Sequence, residues 1–142
     1  MDKIPQVGVA MVVWDPGRNA YLVGQRGDEC ARGKGTWAFP GGRLEFMEDP
    51  EECAFRELEE ETGIPRESLS KVASGPYVSN YYEDGTHFVT LFVLFNCLPL
   101  TEAKIMEPTK CLEWRWCKLH EIPKPWFNPL ASFLDRYDEL RP

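Results

Sequence analysis

Histidine is scarce in this chain of 142 residues. Its two copies, His87 and His120, stand apart with no nucleophile pattern around them, which leaves a Ser-His-Asp hydrolytic centre without support. The five cysteines, Cys30, Cys53, Cys97, Cys111 and Cys117, are scattered, odd in number and never spaced CxxC. Neither a disulfide framework nor a zinc site is therefore indicated, and reduced thiols in a cytoplasmic protein are expected. Long apolar runs are missing too. VGVAMVVW covers only residues 7–14 and MDKIPQ has no signal-peptide character, so neither a leader nor a membrane span is expected. Positive charge is in deficit: 16 Lys and Arg against 23 Asp and Glu give a net charge of -7. Nucleic-acid polymers need clustered cations to displace their counterions and are not expected as partners. A small anionic substrate stays compatible if metal ions carry the positive charge. GDECARGKGT (27–36) falls short of a P-loop, because five residues separate Gly27 from Gly33 and Gly35 replaces the Mg-binding Ser or Thr. Low-complexity runs, repeats and linkers are absent, and 43% hydrophobic residues suffice for one folded domain over residues 1–142.

What is present has the pattern of a mixed α/β domain. Residues 7–14 and 20–26 are β-rich runs flanking DPGRN, whose Pro-Gly is turn chemistry, and they predict a hairpin. A short strand is predicted at 37–39. Residues 49–62 predict a helix with both ends marked: Asp49 as cap, Pro50 at the first helical position, Glu52 completing a capping box and Gly63 as the stop. A second hairpin is predicted from residues 71–78 and 87–95 around a turn at 83–85, followed by a strand at 112–117. The closing helix, near 129–140, carries Leu130, Phe133, Leu134 and Tyr137 as an apolar stripe. This order has too few helices for alternating βαβ units and implies a mixed sheet with helices packed on it.

Seven glutamates lie between Glu48 and Glu61. Like charges three or four residues apart on a helix repel by a few tenths of a kcal/mol per pair. Glu57, Glu60 and Glu61 project from one face, and a solvated surface is the bland reading of such a run. Two features oppose it. The acids sit near the C-terminal end of the helix, where the macrodipole disfavours negative charge, and Arg56 stands beside them with Glu48 available as its partner. Carboxylate clusters bind hard divalent cations such as Mg2+, and a bound cation would remove the repulsion.

Residues 42–64, GRLEFMEDPEECAFRELEEETGI, match the pattern Gx5Ex7REUxEExGU at every specified position, with U a bulky aliphatic residue. The matching positions are Gly42, Glu48, Arg56, Glu57, Leu58, Glu60, Glu61, Gly63 and Ile64. On these residues the chain resembles the Nudix hydrolase family, and WAFPGG upstream and the strands downstream extend the likeness over most of its length. The resemblance implies an α/β/α sandwich with a mixed central sheet. It also implies hydrolysis of a nucleoside diphosphate linked to another group, with Mg2+ as cofactor and Mn2+ as a substitute. Glu57, Glu60, Glu61 and the Gly41 carbonyl would hold the metal, and Arg56 would pair with Glu48 to fix the catalytic loop against the helix. Cations must neutralise the phosphate oxygens, and a carboxylate must accept the proton of the attacking water. Glu60, in the box, and Glu107, in KIMEPTKCLEW, are both candidates for that base. One position departs from the family, which usually has glycine before the first box glutamate where this chain has Met47. A positive φ there would cost about 1 kcal/mol.

Within the family the likeness is greatest to MutT-type members that cleave nucleoside triphosphates to monophosphate and pyrophosphate. PGGRLEF (40–46), HFVT (87–90), EPTKCLEWRW (107–116) and IPKP (122–125) carry it. By this likeness Phe39, Gly41, Thr90, Phe127, Asn128 and Leu130 bind substrate around the base, and Arg26 meets phosphate. Periodicity alone reads Phe39 and Leu130 as core, Asn128 before Pro129 as a helix cap, and Arg26 as a strand end. A purine triphosphate such as dGTP or an oxidised relative is the expected substrate. The coenzyme A branch's upstream pattern is only partly kept, with Arg26, Gly35 and FPGG present but Gly24, Gly27 and Ala31 departing from it. The SQPWPFP array of NADH enzymes is absent, and Asn80 stands where many ADP-ribose enzymes have proline. ADP-ribose, another dinucleotide or coenzyme A ranks second. A catalytically silent nucleotide-binding module ranks third, because no box glutamate is replaced. The expected partner is the small nucleotide, and the expected assembly a monomer or homodimer.

Overall fold

The computed structural model describes residues 3–140, with side chains over residues 3–136. Seven strands and two helices follow in the order β1 (Gln6–Asp15), β2 (Ala20–Arg26), β3 (Trp37–Ala38), β4 (Gly41–Arg43), α1 (Pro50–Thr62), β5 (Leu69–Tyr81), β6 (His87–Cys97), β7 (Cys111–Cys117) and α2 (Asn128–Leu140). The sheet is mixed. β1 runs parallel to β6 from Gln6 opposite Phe88 to Trp14 opposite Asn96, while β5 and β6 form an antiparallel hairpin.

Strand β1 is apolar almost throughout because it is covered on both faces. Val9, Met11 and Val13 face Cys53, Ala54 and Leu58 of α1, whereas Ala10 and Val12 face Leu130, Phe133 and Leu134 of α2. The result is a three-layer α/β/α arrangement.

The two central strands diverge. β1 and β2 pair only at Trp14 with Tyr21 and Asp15 with Ala20, after which β2 turns to pair with β7. Residues 37–43 bridge the fork, their first part bonded to β2 and their last to β1. This fork is where a cavity opens, lined from β1 by Gly8 to Ala10 and from β2 by Gly24 to Arg26.

Several expectations are corrected at the local level. β4 was not anticipated, the short strand ends at Ala38, and β5 is longer than its β-prone stretch. Asp49 caps α1 by accepting the Glu51 N–H at 3.0 Å, but Glu52 does not complete a capping box. Its carboxylate instead takes two hydrogen bonds from the Arg66 guanidinium, at 2.7 and 3.0 Å, since a bidentate charged pair outcompetes a neutral backbone donor. Gly63 ends the helix as expected, at φ 75 with its N–H on the Glu59 carbonyl. Asn128 is the first helical residue of α2 rather than its cap, because the Phe127 carbonyl accepts the Ala131 N–H at 3.0 Å. Tyr137, expected on the α2 stripe, lies outside the described side chains.

Candidate active site

Helix α1 lays its glutamates against β4, and the contact depends on Gly42. A Cβ there would fall 2.1 Å from Glu57 Cδ, so only glycine lets this carboxylate lie on the strand. The Gly41 N–H points at Glu61 Oε2, 3.4 Å away. Burial pushes the proton affinity of Glu57 up and that of Glu61 well above the ordinary carboxylate range, and the two charges raise Glu61 further. Both shifts have burial as their main cause, and each carboxylate stands in the field of the other.

Arg56 acts in the opposite direction. Its guanidinium grips Glu48 at 2.7 and 2.9 Å, and its remaining nitrogen reaches Glu57 at 2.9 Å and Glu60 at 3.2 Å. Those bonds hold the Glu48 carboxyl down at about 2. Glu48 also accepts the Glu45 N–H at 3.1 Å, which ties the 44–49 loop to α1. At the tip of that loop Met47 adopts φ 66 with its side chain 90% exposed. The left-handed backbone is therefore retained although the residue is not glycine.

As the side chains stand, no three His, Cys, Asp or Glu groups among the described residues converge on one ion position. The donor set still fits a hard cation, since Glu57, Glu60 and Glu61 offer only oxygens and a cation would offset the repulsion that raises Glu61.

These acids form one wall of a cavity of about 590 Å³. Glu107 joins them from the loop before β7, with Lys110 Nζ at 3.7 Å from its carboxylate. The facing wall is built differently. Arg26, whose Nε donates to the Arg32 carbonyl at 2.9 Å, lies over the Phe127 ring at 3.9 Å. Phe127 stacks on Tyr82 with centroids 6.0 Å apart, and Tyr82 meets Phe88 edge-on at 6.2 Å. Arg32 stands 5.4 Å from Tyr82 and 5.0 Å from Phe88, and Arg43 is 5.7 Å from the Phe88 ring. Guanidinium groups and aromatic rings thus alternate along this wall. Burial lowers the pKa of Arg26, partly countered by nearby groups that include Glu61.

Most of the residues singled out in the sequence meet in this one cavity: Glu57, Glu60, Glu61, Glu107, Gly41 and Arg26, with Phe39, Thr90, Phe127 and Leu130. Phe39, Thr90 and Leu130 are nearly inaccessible and serve as both core and cavity floor. Arg56 sits behind the acids rather than on the lining. Asn128 is elsewhere, exposed and facing a neighbouring cavity. Sequence reasoning missed Arg32, Arg43, Tyr82, Phe88 and Lys110. Phe88 was findable, because alternation in HFVTLF places it on the same face as Thr90; Arg32 and Tyr82 carry no periodic signal.

Residues 4–137 match the NUDIX domain. The chain belongs to the NUDIX domain family. It is 31% identical over 119 residues to human "Nucleoside diphosphate-linked moiety X motif 6", an alignment covering 84% of this chain and 36% of that protein. It is 44% identical over 64 residues to the 8-oxo-dGTP diphosphatase of Proteus vulgaris, covering 45% of this chain and 55% of that one. The NUDIX chain thus spans about a third to a half of the length of these curated relatives. Among solved structures the MutT protein of Methanosarcina mazei Go1 superposes with a TM-score of 0.79 at 20% identity, over 98% of this chain and 96% of that one. That likeness shows the shared NUDIX fold, a mixed sheet between two helices. No helix among the described residues is long and apolar enough to cross a membrane.

Proposed function

We propose that this NUDIX domain hydrolyses a purine nucleoside triphosphate, of the dGTP or oxidised-purine type, to monophosphate and pyrophosphate. One observation carries the reading: a single cavity has a wall of carboxylates facing a wall of arginines and aromatic rings. The rings of Phe127 and Tyr82 offer flat apolar faces to a base, and Arg26 offers a guanidinium to the phosphates. Glu57, Glu60, Glu61 and the Gly41 carbonyl would hold Mg2+, which supplies positive charge to the phosphate oxygens and makes the attacking water more acidic. Arg56 keeps the loop and helix in register, so the carboxylates stay aimed into the cavity. Of the two candidate bases Glu107 is favoured, because Glu60 is engaged by Arg56 whereas Glu107 enters the cavity from a separate loop. The partner is the small nucleotide itself, and the free cysteines accord with a cytoplasmic setting.

The test is a nucleotide panel with product identification, run with Mg2+ and with excess chelator. Pyrophosphate together with a purine monophosphate, formed only with the cation, is the expected result. Release of orthophosphate alone, full turnover in chelator, or no turnover of any triphosphate would each overturn the reading.

A further inference from the structure

The cations that line the catalytic cavity are not held alike. Arg26 is engaged by the Arg32 carbonyl and the Phe127 ring, and Arg32 by Asp84 at 3.1 Å and by the rings of Tyr82 and Phe88. Lys110, the one lysine among the described residues that line this cavity, stands instead beside Glu107, whose charge reaches Glu61. The Lys110 backbone is fixed from both sides: its N–H donates to the Glu107 carbonyl at 3.0 Å, and its own carbonyl accepts the Gly27 N–H at 2.8 Å and the Cys30 thiol at 3.3 Å. Its ammonium is not fixed. Nζ lies 3.7 Å from the Glu107 carboxylate, beyond hydrogen-bonding distance, and the two side chains are 61% and 40% exposed. A pair so open to water holds its partners weakly. A rigid backbone thus carries a compact charge on a long flexible stem, next to the carboxylate favoured as base.

We propose that Lys110 is the residue that selects triphosphates: its ammonium exchanges Glu107 for the terminal phosphate when the nucleotide binds, and in leaving it frees the Glu107 carboxylate. The inference rests on the triphosphate reading of the cavity and adds the group that recognises the third phosphate. A base against Phe127 and Tyr82 puts the phosphate nearest its sugar by Arg26, and the phosphates farther along reach the acids, where Lys110 is the loosely held cation. A terminal phosphate carries more negative charge than one carboxylate and offers three accepting oxygens, so it wins the exchange. A diphosphate is one phosphate shorter and leaves Lys110 with Glu107.

The test is calorimetric binding, with Mg2+, of the uncleavable α,β-methylene analogues of dGTP and dGDP to the wild type, Lys110→Met and Lys110→Arg, with melting curves to confirm that all three are folded. A hydrogen bond between charged groups is worth about tenfold in affinity or more. Lys110→Met should therefore weaken the triphosphate analogue by about tenfold and the diphosphate analogue by no more than about twofold, while Lys110→Arg keeps most of the difference. Glu107→Gln removes the competitor, so it should tighten the triphosphate analogue in the wild type and fail to do so in Lys110→Met. Equal losses on both analogues, an unchanged triphosphate affinity in Lys110→Met, or the same tightening by Glu107→Gln in both backgrounds would overturn the proposal. Failure of the triphosphate reading is separate: it appears as a wild type that releases no pyrophosphate from any triphosphate, whatever the binding ratios.

Discussion

Replacing Arg56 with alanine tests whether the acidic face of α1 depends on one guanidinium. Its principal partner, Glu48, is held at about 2 against an ordinary 4.5, chiefly by Arg56's hydrogen bonds. At about 1.4 kcal/mol per pH unit this bounds the Glu48 contribution at roughly 3 kcal/mol. The two side chains are 28% and 14% exposed, so solvent screening brings the expected loss to about 2 kcal/mol. For a chain of this length that corresponds to a fall in Tm of roughly 6–8 °C at pH 7, measurable by calorimetry or circular dichroism. The pH dependence gives a sharper check. Glu48's folded value lies below its unfolded one, so its contribution is complete above about 4.5 and is lost as pH falls through about 2. The gap between wild type and Arg56→Ala should therefore be widest at neutral pH and narrow toward pH ~3. Arg56→Lys should lie between them, since an ammonium cannot make the two-nitrogen grip. An equal gap at both pH values would refute the electrostatic account, and an unchanged Tm at pH 7 would show that Arg56 does not hold the loop.

Met47→Gly should raise stability by about 0.5–1 kcal/mol, because relief of the positive φ exceeds the added entropy of the unfolded chain and the exposed side chain loses little packing; a lower Tm would contradict this. Glu61→Gln should lower kcat by orders of magnitude while leaving the cation-free Tm equal or higher, since it removes one of two buried, mutually repelling acids. The rise in Tm on adding Mg2+ should shrink in the same variant, and Glu59→Gln, whose residue does not line the cavity, should change neither quantity.

The parts of this molecule that can be read in the sequence are those set by local chemistry. Pro50 and Gly63 mark the ends of α1 because proline fixes a helical φ and glycine tolerates the left-handed one, and β1 announces its two-sided burial by unbroken apolarity. β4 was invisible for the converse reason. Two glycines and an arginine have no preference for a strand, and their pairing with β1 is imposed by the fork between β1 and β2. The site divides in the same way. The glutamate spacing is a helical property and legible, whereas the wall of Arg32 and Tyr82 is assembled from a loop and a hairpin tip by tertiary contact alone. Asn128 illustrates the limit: it is the first residue of α2 and lines the neighbouring cavity, a placement that its position before Pro129 does not announce.

The divergence of β1 and β2 has a consequence for how such a protein can change over generations. Through that fork, acids borne by the layer on one side of the sheet share a chamber with rings and guanidinium groups borne by the other side and its hairpin. Substitutions at Tyr82, Phe88 or Phe127 can reshape what is admitted without disturbing the salt-bridged frame of Arg56, Glu48 and Glu57. What the cavity admits and how its acids are held are thereby heritable separately, which lets a lineage explore new ligands while the carboxylate frame is kept.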